Sequence, residues 1–210
     1  MTAPSAETLI RACETLAAKD KVLASAYDHI GLPVWRATDP TYQSLARIVV
    51  YQLISTKAAD AIWQRLVATL GGVTVQGVLT HDPERLLACG LSRPKLKHLQ
   101  AIAQAVRSGA LELETLHTLT IDEAYQQLCQ VRGIGPWTAN TFLMNAIGHL
   151  DAFPHDDVGL LEAYKLLSGA DERPSAKAFS RLAETWRPYR AVAAHLLYDW
   201  LNARRKARSA

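Results

Sequence analysis

Two adjacent carboxylates, Asp156 and Asp157, stand where a short loop gives way to a helical pattern, in the segment Pro154-His155-Asp156-Asp157-Val158-Gly159-Leu160. An aspartate at a helix start is usually an N-cap, because its carboxylate accepts hydrogen bonds from the free N–H groups of the first turn. A carboxylate in this place can also stabilise positive charge or activate a water molecule. We expect the neighbouring His155 to be an exposed loop residue rather than a general acid.

A glycine-rich turn lies upstream, in the segment Val131-Arg132-Gly133-Ile134-Gly135-Pro136-Trp137-Thr138-Ala139-Asn140. Glycines allow a tight turn and a close approach of the backbone to a ligand, and Pro136 favours a new helix start. The free N–H groups at such a helix start suit a phosphate oxygen, bound without regard to base sequence. An ordinary turn between two helices is the alternative, and the Gly-x-Gly pattern alone does not separate the two.

Together, the turn and the carboxylate resemble the helix-hairpin-helix GPD superfamily of DNA glycosylases, and within it the 3-methyladenine-DNA glycosylase II (AlkA-like) branch. The resemblance covers roughly residues 41–202. It includes the two segments above together with Val50-Tyr51-Gln52-Leu53-Ile54-Ser55 and Trp186-Arg187-Pro188-Tyr189-Arg190. It implies an all-α fold of two helical lobes with the active-site cleft between them. It also implies base flipping and hydrolysis of the N-glycosidic bond of alkylated bases, such as 3-methyladenine and 7-methylguanine, in base excision repair.

The resemblance also implies roles for particular residues. Asp157 would be the catalytic carboxylate, whereas Asp156 would cap or brace the loop. Gln52 and Leu53 would contact the duplex, with Leu53 wedged into the place of the ejected nucleotide, although a buried core position for Leu53 remains the alternative. The base pocket would be lined by Trp137, Thr141 and Tyr198, with Trp200 as an alternative wall to Tyr198.

The hairpin would contact phosphates through Arg132, Gly133, Ile134 and Gly135. The resemblance further implies that the backbone carbonyls of Cys129, Val131 and Ile134 can hold a monovalent cation, Na⁺ or K⁺. No other cofactor is expected: no cysteine follows Cys129, so the four-cysteine iron–sulfur cluster of some relatives cannot form.

Two further departures from the family narrow the expected activity. Lyase-competent relatives place a lysine where this chain has Trp137, and no lysine occurs between Lys97 and Lys165. Without an amine beside the sugar, Schiff-base chemistry has no nucleophile, so we expect a monofunctional enzyme. The segment before Thr41 is too short for the β-rich N-terminal domain of longer relatives, which indicates the compact form. A bifunctional glycosylase/lyase and a non-catalytic DNA-binding hairpin protein are the alternative functions.

The elements that would position these residues are helical throughout. Apolar residues recur at helical spacing, Asp82-Pro83 predicts a helix start, and Thr120 with Glu123 predicts a capping box. No segment alternates convincingly with period two, and the β-branched stretch 73–78 is short. We expect helices over residues 7–18, 42–70, 83–89, 96–106, 120–128, 136–147, 157–167, 175–186 and 189–204. They would form one glycosylase domain over residues 1–210, with the hairpin at about 121–147 and a basic tail at 203–210.

Composition is compatible with this interpretation and does not decide it. The net charge is +3, but four basic residues lie in the last ten positions, and the remaining 19 Lys and Arg against 20 Asp and Glu leave −1. The tail would either contact phosphates or be a frayed, solvated end. We expect the three cysteines to be small buried hydrophobes. We also expect a soluble monomer without a membrane span that acts on double-stranded DNA containing damaged bases, in the cytoplasm of a bacterium or the nucleus of a eukaryote.

Overall fold

In the computed structural model, which describes residues 3–209, every regular element is a helix, as predicted. The helices are α1 (Ala6–Lys19), α2 (Lys21–Ile30), α3 (Tyr42–Tyr51), α4 (Thr56–Leu70), α5 (Val75–Thr80), α6 (Pro83–Ala88), α7 (Arg93–Arg107), α8 (Ile121–Cys129), α9 (Pro136–Phe142), α10 (Val158–Ser168), α11 (Ala176–Ala183) and α12 (Arg190–Ser209). Two short 3₁₀ turns lie at Leu116–Thr118 and Glu184–Trp186, and a π-helical turn, Leu143–Ile147, continues α9. Within the described chain, no helix is long and apolar enough to cross a bilayer.

The described residues form two compact units. The central unit comprises residues 38–147 and contains α3 to α9, whereas the terminal unit combines residues 3–37 with 148–209 and contains α1, α2 and α10 to α12. A single domain over residues 1–210 stays a prediction. Its first two residues, and Ala210 at the end of the basic tail, lie outside the described residues.

The central unit is built on apolar faces that the sequence pattern indicated. α3 and α7 contribute fully buried leucines, and the Tyr42 hydroxyl donates a hydrogen bond of 3.0 Å to the carbonyl of Leu99. The predicted capping box is present: the Thr120 hydroxyl accepts from the Glu123 N–H, and the Glu123 carboxylate accepts from the Thr120 N–H. α8 therefore begins at a well-defined residue, and its end leads directly into the hairpin turn.

The predicted continuous helix over residues 42–70 is wrong. α3 ends at Tyr51, and α4 begins only after Ser55, whose hydroxyl accepts the Ala58 N–H at 3.3 Å. Between them, Leu53 has a φ of 57°, in the left-handed region that a leucine rarely adopts. Two further helices were not predicted. α5 occupies most of the β-branched stretch after an N-cap at Thr74, and α2 follows an N-cap at Asp20.

The terminal unit packs around buried aromatic rings. Phe153, Phe179 and Trp186 pack with ring centroids 5.4–5.6 Å apart. The buried carboxylate of Asp20 accepts the Trp186 Nε1–H at 2.9 Å, which ties the start of α2 to this cluster. α12 continues to Ser209, so the expected frayed tail is wrong for the described part: residues 203–209 are helical, and the side chains of 203–208 are exposed. Of the cysteines, Cys13 and Cys89 are buried as expected, whereas Cys129 is partly exposed.

Candidate functional site

Asp157 is the N-cap residue, immediately before the first residue of α10. Its Oδ1 atom accepts the Leu160 N–H at 3.0 Å, and its own N–H donates to the Pro154 carbonyl at 3.0 Å. The side chain is partly buried, whereas that of Asp156 is exposed. Asp157 is therefore the N-cap of α10. Of the two roles expected of Asp156, that of a cap is wrong, and that of a brace for the loop stays a prediction. The adjacent His155 is partly buried, which also differs from the exposed position expected of it.

Tyr198, on α12, lies against this carboxylate. Its hydroxyl is hydrogen bonded to the Asp157 side chain, and burial, followed by the nearby charge of Asp157, raises the pKa of the phenol well above its usual range. Gly159 lies beside this contact: a methyl group there would lie 3.0 Å from Asp157 Oδ1 and 3.6 Å from Tyr198 Cε1. The motif residue Gly159 therefore leaves the space in which the carboxylate and the ring edge meet.

The loop that carries Asp157 is held by a buried acid. Asp151 accepts hydrogen bonds from the Arg190 guanidinium at 2.8 and 2.9 Å, and from the Arg187 guanidinium at 2.8 Å. Its own side chain is only 10% exposed, and the Ala191 N–H donates to the Leu150 carbonyl at 2.9 Å. The loop is thus joined to the start of α12, the helix that bears Tyr198.

A buried histidine lies one turn before Tyr198 on α12. His195 is 1% exposed, its ring centroid is 4.3 Å from that of Trp35, and its Nδ1 atom is 3.5 Å from Arg36 Nη1. Burial, and then the nearby Arg36 charge, lowers the pKa of His195 to about 4, so the imidazole is neutral at pH 7. Arg36 is also ion-paired with Asp199. No local signal in the sequence indicates this group, because nothing in the pattern connects residue 36 with α12.

The two glycines of the hairpin, in the central unit, have different structural roles. Gly133 has a φ of 98°, and a Cβ atom there would lie 2.5 Å from the Cβ atom of His98, so this position requires glycine. Gly135 is the N-cap residue of α9 and is exposed, and a methyl group added to it would meet no atom within 4 Å. Between them Ile134 is buried, whereas Arg132 is exposed. Gly133 therefore packs the turn, and Gly135 leaves its outer surface open.

The carbonyls expected to hold a cation belong to the same turn. Backbone carbonyl oxygens are suitable ligands for monovalent cations. The Val131 carbonyl accepts the Ile134 N–H at 3.0 Å, and a carbonyl oxygen has a second lone pair with which it can contact an ion. The donor set of Cys129, Val131 and Ile134 fits such an ion by its chemistry, and the cation itself stays a prediction.

Leu53 is fully exposed at the tip of the loop between α3 and α4, so the alternative of a buried core position is wrong. The loop beneath it is anchored twice. The Lys95 ammonium donates to the carbonyls of Val50 at 2.8 Å and Gln52 at 2.7 Å, and burial lowers the pKa of Lys95. The Gln52 amide donates to the Thr138 hydroxyl at 2.6 Å. Lys95 was missed by the sequence analysis because its partners are backbone atoms.

The residues expected in the base pocket belong to different units. Trp137 and Thr141 lie on α9 in the central unit, and both are partly buried. In the terminal unit, Tyr198 contacts Asp157, whereas Trp200 is 8% exposed with the Arg204 guanidinium 5.4 Å from its ring centroid. The contact with Asp157 favours Tyr198 over Trp200, and the pocket roles themselves stay predictions.

Proteins named as DNA-3-methyladenine glycosylases are similar to this chain in sequence. DNA-3-methyladenine glycosylase 1 of Schizosaccharomyces pombe is 30% identical over 161 residues, which cover 75% of this chain and 71% of that protein. The DNA-3-methyladenine glycosylase of Bacillus subtilis is 32% identical over 116 residues, 55% of this chain and 38% of that protein. This chain therefore spans well under half the length of the Bacillus relative.

Solved structures are similar over most of the chain. The 3-methyladenine DNA glycosylase of Schizosaccharomyces pombe, in complex with abasic DNA, superposes with a TM-score of 0.82 at 28% identity, over 89% of this chain and 95% of that one. A DNA-3-methyladenine glycosidase from Bacillus halodurans gives 0.77 at 29% identity, over 93% and 91%. The family model for HhH-GPD superfamily base excision DNA repair proteins matches residues 46–188. The chain thus belongs to the HhH-GPD superfamily of base excision DNA repair proteins.

Proposed function

We propose that this chain is a monofunctional DNA glycosylase that hydrolyses the N-glycosidic bond of alkylated bases, such as 3-methyladenine and 7-methylguanine, in double-stranded DNA. Relatives in sequence and in structure bear the name 3-methyladenine DNA glycosylase. The observation that carries the assignment to a site is the Asp157 carboxylate, held at the mouth of α10 by the Leu160 N–H and in contact with Tyr198. A DNA-binding hairpin without enzymatic function needs residue 157 only as a helix cap, a role that Asn or Ser fills as well as Asp.

One carboxylate is enough for this reaction. Cleavage of a glycosidic bond passes through an oxocarbenium-like transition state, whose positive charge a nearby carboxylate stabilises. Asp157 can supply that stabilisation, or it can orient and deprotonate the attacking water. 3-Methyladenine and 7-methylguanine are cationic, so they leave without protonation by an acid. The neutral, buried His195 is therefore not required as a proton donor.

The central unit supplies the means to hold the DNA. Leu53 projects fully exposed from an anchored loop, as a wedge that replaces a flipped nucleotide must do. The open surface at Gly135 and the exposed Arg132 offer contacts to phosphates that are independent of base sequence. Trp137 and Thr141, on α9 of the same unit, contribute to recognition of the flipped base. Stacking of a cationic base on an aromatic ring contributes about 0.5–2 kcal/mol.

We infer the absence of lyase activity from the residue at position 137 and from the contacts of Lys95. Trp137 stands where lyase-competent relatives have a lysine, and the half-buried Lys95 ammonium is engaged by two backbone carbonyls. We therefore expect neither position 137 nor Lys95 to supply an amine for a Schiff base with the sugar. We place the enzyme as a monomer in the compartment that holds the genome, the cytoplasm of a bacterium or the nucleus of a eukaryote.

The test is incubation of the purified protein with dimethyl-sulfate-treated duplex DNA, with released bases identified by chromatography. We expect free 3-methyladenine and 7-methylguanine, abasic DNA that breaks only on heating or in alkali, and no covalent adduct after borohydride treatment. Strand breaks without alkali together with a borohydride-trapped adduct would show a bifunctional glycosylase/lyase. Binding to the duplex without release of any base would leave only the non-catalytic alternative.

A further inference from the structure

We infer that the Tyr198 hydroxyl is a positioning group for the Asp157 carboxylate, a role separate from any stacking of its ring on a base. The inference rests on the proposed function. It assigns Asp157 the role of an electrostatic stabiliser of the transition state rather than that of a general base. The observations that carry it are the geometry around Gly159 and the hydrogen bonds of the two side chains.

The carboxylate receives hydrogen bonds from two elements of the terminal unit. From its own helix, the Leu160 N–H donates to Oδ1 at 3.0 Å. From α12, the Tyr198 side chain is bonded to the same carboxylate. Gly159 lies at the meeting point, where a methyl group would be 3.0 Å from Oδ1 and 3.6 Å from the Tyr198 ring. The close approach of α10 and α12 is therefore built into the chain at this residue.

In this pair, the tyrosine is the donor. An ionised carboxylate can only accept hydrogen bonds, and a phenol donates through its O–H. Burial keeps the phenol protonated by raising its pKa well above the usual range. The carboxylates of Asp157 and Asp156 act in the same direction, and the guanidinium of Arg36 opposes them. The other ionisable groups nearby on α12 are Asp199, which is paired with Arg36, and His195, which is neutral.

Two donors change what the carboxylate can do. They fix its orientation, which is the requirement for stabilising charge at one position in the transition state. A general base must instead reach the attacking water and take up its proton. The arrangement at Asp157 thus fits a fixed negative charge beside the sugar better than it fits a proton acceptor.

The experiment compares wild type with Tyr198→Phe, which keeps the ring and removes only the hydroxyl, by single-turnover excision of 7-methylguanine. Loss of a hydrogen bond to a charged group commonly changes an equilibrium constant by a factor of about 10 or more. We therefore expect the Tyr198→Phe rate to fall about 10-fold, while affinity for abasic-site DNA is unchanged. Tyr198→Leu, which also removes the ring, is expected to be slower than Tyr198→Phe.

Tyr164→Phe is the matched control. The Tyr164 hydroxyl bonds a carboxylate of the same unit, Asp20, at 3.4 Å, so this variant removes the same kind of bond away from Asp157. Its excision rate should match that of wild type. A Tyr198→Phe enzyme with the wild-type rate would overturn the inference, because the ring would then be all that matters.

A second measurement does not need an active enzyme. With tyrosine labelled at Cζ with ¹³C, the NMR signal that disappears in Tyr198→Phe identifies Tyr198. In Asp157→Asn, that signal should shift and the pKa of the Tyr198 phenol should fall, because the negative charge that opposes phenol ionisation is removed. If the wild-type protein releases no base, the proposed function is refuted, but the NMR signal still shows whether Tyr198 contacts Asp157. An unchanged Tyr198 signal in Asp157→Asn would refute the contact alone.

Discussion

The Gln52 side-chain amide and the Thr138 hydroxyl, 86 residues apart, are joined by a hydrogen bond of 2.6 Å that ties the loop bearing Leu53 to α9. The loop is thereby held while Leu53 itself touches only solvent. Leu53→Ala should slow excision from duplex DNA, because no apolar side chain then fills the space of the flipped nucleotide. It should leave the free energy of unfolding within about 0.5 kcal/mol of wild type, because an exposed side chain contributes little to stability. Denaturant unfolding and excision assays on the same preparation measure both.

Leu45→Ala is the control for that prediction, because Leu45 is a fully buried leucine of the preceding helix. It should lower the free energy of unfolding by about 2–5 kcal/mol, as for other buried leucines. If Leu53→Ala were as destabilising as Leu45→Ala, Leu53 would have to be packed, contrary to its exposure. An unchanged rate on duplex DNA would remove the wedge role.

The two hairpin glycines should respond differently to substitution. Gly135→Asp introduces a carboxylate where there is open space and a φ of −92°, so folding should be unaffected while binding to all duplexes weakens about equally. Gly133→Ala forces a methyl group to within 2.5 Å of His98 at a φ of 98°, and should destabilise the fold by roughly 1–3 kcal/mol. Thermal unfolding and fluorescence anisotropy with damaged and undamaged duplexes distinguish the two effects. A Gly135→Asp defect confined to damaged DNA would mean that the hairpin recognises the lesion.

The buried His195 should make the protein sensitive to acid. Its folded-state pKa of about 4 lies below the ordinary value of 6.5, so the unfolded chain takes up its proton first as the pH falls. Its contribution to stability is therefore complete above pH 6.5 and is lost between pH 6.5 and 4, by up to about 3 kcal/mol. His195→Phe, which keeps a ring against Trp35, should lose less stability than wild type over this interval. Urea unfolding at about pH 7 and about pH 4.5 gives the comparison, and equal losses in the two proteins would show that His195 does not contribute.

Local signals in the sequence predicted the parts of the fold that depend on local bonds. The capping box of Thr120 and Glu123 formed because its partners lie three residues apart. The helix after Asp157 also begins where the sequence predicted. Leu53 was ambiguous for the opposite reason: it lies four residues after Val49, so the apolar spacing continues a helix that the structure ends. The bonds that hold the loop in place come from Lys95 and Thr138, more than 40 residues away.

The candidate site likewise combines features that have a local sequence signal with contacts between distant residues that have none. Asp157 and Tyr198 were both identified as functional residues through the resemblance to the family, but the hydrogen bond between them joins α10 to α12 and has no local signature. The group formed by Trp35, Arg36 and His195 was invisible because His195 is 159 residues from Arg36. One signal could have been used: Asp20 followed by Val22, Leu23 and Ala26 is an N-cap before an apolar face, and it marks the start of α2.

The central claim is that the Asp157 carboxylate performs the chemistry, and Asp157→Asn tests it most directly. Asparagine caps a helix as well as aspartate does, so the bond from the Leu160 N–H can persist and the fold should be kept. Only the negative charge is lost, and with it the stabilisation of the transition state.

The measurement is the single-turnover rate of 7-methylguanine release from duplex DNA, with affinity for abasic-site DNA measured in parallel. Asp156→Asn, a change at the exposed neighbour, is the control. We predict a fall of roughly 100- to 1000-fold for Asp157→Asn, with its affinity for DNA preserved, and a near-wild-type rate for Asp156→Asn. Near-full activity of Asp157→Asn together with an inactive Asp156→Asn would contradict the account.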